Sequence, residues 1–218
     1  MDPELVVQQD ELREQRDKLA FHSDYDRLPS DFYPTPLSLR RALVDNVTLP
    51  TDGPIWEPCV GSGHLARTME NEGCTVIGTD LRDESEGIYG KGNTDFFAQQ
   101  FPPSGATSII TNPPFNMMTK FIEHSLELMD DSSNDITSVI TLCRQDHHFT
   151  KQRIEMFGRA HFALHCPWRP LWIKPVEGET SGNPRWCFVW WGWTKGHSGP
   201  PTMHFCNRTV GPKDEFNE

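Results

Sequence analysis

The order of elements in this chain predicts an α/β domain: a mostly parallel sheet covered by helices on both faces. Three observations lead there. Short β-favouring runs alternate with helical segments from about residue 37 to residue 193. One of them, Ile136 to Leu142, is β-favouring without a break, the pattern of a strand buried on both sides. Several run ends also carry glycine, an acid or an amide, and ligands bind at strand ends in open α/β sheets. The 218 residues suffice for one such domain with a full core.

Residues 4–20 are charged, with Leu5, Leu12 and Leu19 at helical spacing. They predict an exposed helix in an N-terminal extension of residues 1–30, suited to a partner or to self-association. Residues 21–36 are irregular and end in Asp31-Phe32-Tyr33-Pro34-Thr35-Pro36, and a helix follows over about 37–46. Ile55 to Cys59 reads as a short strand that runs into Gly61-Ser62-Gly63, then a helix from His64 to Glu72 closed by Gly73. Thr75 to Thr79 is a second strand, ending at Asp80; a polar loop leads to Asn93 and then Thr94-Asp95-Phe96-Phe97. The strand Thr107 to Thr111 stops at Pro113-Pro114, because neither proline has an N–H to donate. A helix is expected over Lys120 to Met129, and the strand Ile136 to Leu142 comes next. Another helix fits about 150–159 with Thr150 as its cap, followed by strands at His161 to Leu164 and Trp186 to Trp193 around a loop at 175–184. The main domain is thus expected over residues 31–196, with a loose polar tail over 197–218.

The six cysteines are scattered and form no Cys-x-x-Cys pair, so neither a disulfide framework nor a zinc knuckle is predicted. His161, His165 and Cys166 are better read as part of a strand than as metal ligands, and no metal is expected. No apolar run approaches a membrane span. The opening Met1-Asp2-Pro3-Glu4 lacks a basic region followed by an apolar one, so a cytoplasmic protein is expected.

Glu57, Gly61, Gly63, Asp80, Asp95 and Asn112 all fall at expected strand ends, so the fold gathers them on one crest. Gly61 and Gly63 allow a tight turn whose N–H groups reach a ligand, although Ala66 leaves the Gly-x-Gly-x-x-Gly dinucleotide pattern incomplete. Asp80 is placed to accept from ribose hydroxyls, and Asp95 from an adenine amine with Phe96 over the ring. Taken singly, each acid is more often a turn residue or a helix cap. Asn112-Pro113-Pro114-Phe115 offers an amide oxygen, bare carbonyls and a flat aromatic face, which suits the exocyclic amine of a flat base.

In this order the motifs resemble the class I S-adenosylmethionine-dependent amino-methyltransferases of adenine, in particular small orphan or phage-type DNA adenine methyltransferases. The resemblance rests on Glu57-Pro58-Cys59-Val60-Gly61-Ser62-Gly63, Val76-Ile77-Gly78-Thr79-Asp80, Asp95-Phe96 and Asn112-Pro113-Pro114-Phe115. Tyr33-Pro34-Thr35-Pro36 is similar to the motif that closes over the methionine part of the cofactor in that family. The resemblance implies a Rossmann-like, seven-stranded sheet with one antiparallel strand and S-adenosylmethionine as cofactor. It implies cofactor contacts from Tyr33, Thr35, Pro36, Glu57, Cys59, Gly61, Gly63, Asp80, Leu81, Asp95, Phe96 and Asn112. Asn112, Pro113, Pro114 and Phe115 would receive the target base. An aromatic amine is a poor nucleophile, so acceptors at Asn112 Oδ1 and the Pro113 carbonyl would accommodate growing positive charge on its nitrogen. Duplex DNA would have to flip its adenine out, with Phe115 stacking on it.

A net charge of −11 argues against a nonspecific nucleic-acid coat. From Thr141 to Gly196, however, eight Lys/Arg face four acids. Arg144, Lys151, Arg153, Arg169 and Arg185 in that half are the candidate backbone contacts. Six of the seven tryptophans lie between Trp168 and Trp193; most are expected in the core, with Trp168 or Trp172 available to stack on flanking nucleotides. DNA is favoured over RNA as substrate, RNA adenine methylation is the runner-up, and a silent methyltransferase-fold binding subunit is a third reading.

Overall fold

The computed structural model describes residues 33–148, 150–172 and 186–215. The expected N-terminal helix, the 175–184 loop and Arg185 lie outside these residues. The strands are β1 (Ile55–Glu57), β2 (Val76–Gly78), β3 (Ser108–Thr111), β4 (Ser138–Arg144), β5 (Phe162–Cys166), β6 (Phe188–Thr194) and β7 (Thr202–Phe205). The helices are α1 (Leu37–Asn46), α2 (His64–Asn71), α3 (Met118–Asp130) and α4 (Ile154–Gly158).

One seven-stranded sheet runs in the order β2-β1-β3-β4-β6-β5-β7. All neighbours are parallel except at β6, which runs antiparallel between β4 and β5, with Leu142 and Leu164 both opposite Trp190. The crossovers of the parallel part force the helices onto the sheet faces. On one face, Trp56, Ile109, Val139, Cys143, Val189 and Trp191 meet α3 and Phe157 of α4. On the other, Ile55, Ile110, Ile140, Leu164 and Trp190 meet Leu39 and Leu43 of α1 and Leu65 and Met69 of α2. The two faces explain the aromatic residues at both parities of β6: Trp191 and Trp193 point one way, Phe188 and Trp190 the other.

Most expected elements appear, with ends shifted by no more than two residues. The helix expected over 150–159 is split: a 3₁₀ turn, Lys151–Arg153, precedes a five-residue α4, and Thr150 makes no side-chain cap bond. The larger difference is at the C-terminus, expected to be loose. Thr202–Phe205 instead pairs with β5 along the sheet edge, and Glu215 is buried at 2% exposure. The strand is short and lies in a polar tail, and its apolar Met203 and Phe205 are exposed like the other two residues, so it is held by its backbone.

Candidate active site

β3 is buried along its whole length and delivers Asn112 at its C-terminal end, where the two prolines stop the ladder. Asn112 Nδ2 donates to Thr35 Oγ1 at 3.1 Å and to the Tyr33 carbonyl at 3.3 Å. A backbone carbonyl can only accept, so the nitrogen must face Tyr33 and the oxygen must face away. Asn112 Oδ1 is buried and has no hydrogen-bond partner among the described residues. The corner therefore presents an oriented, unsatisfied acceptor.

Phe115 sits in a ring of aromatics. Tyr33 stacks on it at 6.0 Å and 25°, Trp172 meets it edge-on at 5.3 Å, and Phe188 lies 5.8 Å away. Phe188 begins β6 opposite Arg144 and Cys166, so the antiparallel strand starts at the crest where β4 and β5 end. Of the two tryptophans singled out for stacking, Trp172 lies in this ring. Trp168 instead donates its indole N–H to Ser38 Oγ at 3.0 Å.

The glycine turn has the backbone expected of it: Gly61 and Gly63 have φ of 55° and 82°. Asp80 Oδ2 accepts the Gly61 N–H at 2.9 Å, joining the ends of β1 and β2. The Asp80 carbonyl accepts from Thr94 N–H, which brings Asp95 to the same crest. Asp80 is 7% exposed and pairs with Arg82 at 3.1 Å, so a ribose reaching its carboxylate would have to share or displace that guanidinium. Leu81 beside it is 68% exposed, an apolar side chain open to a flat ligand. Asp95 Oδ1 caps the 3₁₀ turn Phe96–Ala98 through the Phe97 N–H.

Phe96 departs from its expected role. It is 3% exposed and stacked on Phe121 at 4.8 Å, with Trp56 and His124 against its edges, so it is a core residue and not an open cover for a base. Its position directly after an exposed acid hid this, since burial there is set by α3.

Glu57 is 2% exposed, and burial pushes its carboxyl well above the usual range, opposed by the Ala66 N–H. Its Oε2 has no partner among the described residues. Burial, reinforced by Asp80 and Glu57, likewise raises the Cys59 thiol, which argues against a nucleophilic thiolate.

A cleft of about 670 Å³ opens beside Phe115 and is lined by Lys120, Glu123, Arg144, Asp146, His147 and Arg153 among others. Arg144 is held bidentate by Asp146, at 3.0 and 2.6 Å, and lies 4.0 Å over the Trp186 ring. Arg153 donates to the His147 carbonyl at 2.6 Å. Of the expected backbone contacts, Arg144 and Arg153 reach this cleft; Lys151 and Arg169 are exposed and are not among its lining residues. His147 was not singled out from the sequence. Burial first, then Arg153 and Arg144, lowers its pKa to about 4, so the ring is neutral near pH 7. Its position just beyond the end of β4 was the available signal.

Among the described residues no group of three or more His, Cys, Asp or Glu could hold a metal ion, and no helix is long and apolar enough to cross a membrane.

No protein-family model matches the sequence, and no curated protein matches it. Solved structures do resemble it. A putative RNA methyltransferase from Pyrococcus horikoshii superposes with a TM-score of 0.51 at 16% identity, covering 84% of this chain and 96% of that one. A modification subunit of a putative type I restriction enzyme from Vibrio vulnificus gives 0.50 at 12% identity, over 96% of this chain and 52% of that one. This chain thus spans about half the length of the Vibrio subunit. A dimethyladenosine transferase from Plasmodium falciparum gives 0.50 at 12% identity, over 75% of this chain and 62% of that one. At these identities the likeness is one of fold: the Rossmann-like fold of the class I methyltransferases.

Proposed function

We propose that this chain is an S-adenosylmethionine-dependent methyltransferase that modifies the exocyclic N6 amine of adenine in DNA, on a base turned out of the duplex. The observation that carries the reading is Asn112 Oδ1, buried, without a hydrogen-bond partner among the described residues, and oriented by two bonds from its own amide nitrogen. Such an acceptor, with the Pro113 carbonyl and the Phe115 ring beside it, matches an aromatic amine that becomes more positive as it reacts. The part-exposed rings of Tyr33, Phe115 and Trp172 supply flat faces for a purine, backed by the buried Phe188.

The residues of the crest fit the cofactor. Glu57 Oε2, which has no partner among the described residues, the left-handed backbone at Gly61 and Gly63, the carboxylate of Asp80 and the open Leu81 side chain suit the amino-acid, ribose and adenine parts of S-adenosylmethionine. Tyr33, Thr35, Pro36, Cys59 and Asp95 flank them. When bound, this cofactor supplies an electrophilic methyl group. The protein's own part is to hold the amine in line and to keep water from it. With no strongly basic side chain at the corner among the described residues, the nitrogen loses its proton to solvent after attack. Arg144 and Arg153 in the adjoining cleft are the groups for the nucleic-acid backbone.

The test is incubation with methyl-labelled S-adenosylmethionine and, separately, unmethylated DNA, RNA and bulk protein, then digestion to identify the modified unit. Label in N6-methyladenine from DNA is expected. Label in RNA adenine alone would move the substrate to RNA. Label in protein alone would overturn the nucleic-acid assignment, and bound cofactor with no labelled product would favour a silent binding subunit.

A further inference from the structure

Helix α1 begins without a cap of its own. Pro36 occupies the N-cap position and its side chain has no acceptor, so the first N–H groups need partners from elsewhere. They find them 177 residues away: the Ser38 N–H donates to Glu215 Oε2 at 2.9 Å and its hydroxyl to Oε1 at 2.6 Å. The Leu37 N–H donates to the Glu215 carbonyl at 3.3 Å. Arg208 pairs with the same carboxylate at 2.5 Å. A buried carboxylate facing a helix N-terminus is doubly favoured, by the bare N–H groups and by the helix dipole.

Directly before α1 lies the segment that holds the target corner. Thr35 Oγ1 and the Tyr33 carbonyl take the two amide hydrogens of Asn112. The Arg40 guanidinium, on the first turn and a half of α1, donates to the Thr35 carbonyl at 3.0 Å. A continuous set of bonds therefore runs from Glu215 to the start of α1, to Thr35, and to Asn112.

We infer that Glu215 is a positioning residue: delivered by the C-terminal segment, it caps α1 and thereby sets the Tyr33–Pro36 segment that orients the Asn112 amide. The inference deepens the proposed function and rests on it for its kinetic consequence. The orientation itself is independent of any activity.

The test compares Glu215→Ala and Arg208→Ala with Lys213→Ala, an exposed control on the same segment. Three properties are read: kcat and S-adenosylmethionine affinity, amide hydrogen exchange at Leu37 and Ser38 against Leu43, and the side-chain amide resonances of Asn112. In Glu215→Ala, kcat per folded molecule is expected to fall on the order of tenfold to a hundredfold, as for other misplaced reacting groups. Leu37 and Ser38 exchange faster while Leu43 does not, and the Asn112 amide signals shift. Arg208→Ala, which keeps the carboxylate and removes its counter-charge, moves the same signals less and serves if Glu215→Ala does not fold. Unchanged Asn112 signals alongside faster exchange at Ser38 would overturn the inference, as would a kcat loss tracked by uniform loosening of the whole sheet. If the wild type transfers no methyl group, the proposed function fails while the Asn112 signals still judge the positioning role.

Discussion

Asn112 illustrates how one side chain acquires an orientation that its residue type alone does not confer. An exposed asparagine rotates and presents either end; here two acceptors fixed in the backbone and in Thr35 choose the end. Asn112→Ala is expected to lower kcat by about 10²–10³-fold, the cost of removing one preorganised hydrogen-bonding group. Binding of S-adenosylmethionine, measured by calorimetry, should change far less; equal losses in both would remove the proposed role. This residue was legible in sequence because its chemistry is local: an amide, two prolines and an aromatic ring in succession. Gly61 and Asp80 were legible for the same reason, a positive φ and a strand-end acid. Phe96 was misread because its burial depends on Phe121 and Trp56, residues distant in sequence.

Among the elements, β6 shows packing that a pattern of hydrophobic residues only partly reveals. Gly192 interrupts its aromatic run, and a Cβ there would lie 2.1 Å from the Phe162 ring on β5. Phe162 and Gly192 are register partners, so the ring covers the gap that glycine leaves. Gly192→Ala is expected to destabilise by about 1–3 kcal/mol through overpacking, read from the urea midpoint. Phe162→Ala combined with it should recover part of that loss, since the clash disappears; additive losses would contradict the pairing. Elements with strong periodicity, such as α1 and α3, could be read directly. The edge strand β7 could not, because it buries no side chain of its own, and the cap on α1 could not, because nothing in residues 37–46 points to Glu215.

For the molecule as a whole, charge and pH set the conditions under which it works. His147 titrates near 4 when folded and near 6.5 when unfolded, so the unfolded chain binds the extra proton between these values. Stability contributed by this residue is therefore present above pH 6.5 and is lost as pH falls toward 4. His147→Gln should flatten the drop in melting temperature over that interval; an unaltered profile would show that other groups govern it. The net charge of −11 repels a polyanion, so the DNA binding proposed above rests on the local cations of the cleft. Arg144→Ala is expected to weaken DNA binding and to reduce the slope of log K against log salt by about 1, measured by titration at several ionic strengths. A slope left intact would mean that the Asp146 carboxylate already neutralises this arginine.

The insertion of β6 between β4 and β5 carries a consequence for how the protein is made. A polypeptide emerging from the ribosome completes β5 before the strand that must lie between it and β4 exists. Until residues 188–194 have left the exit tunnel, β4 has an unfilled hydrogen-bonding edge beside an apolar surface, the kind of site at which nascent chains stick together. Closure of the sheet thus waits for β6, and the capping of α1 by Glu215 follows it.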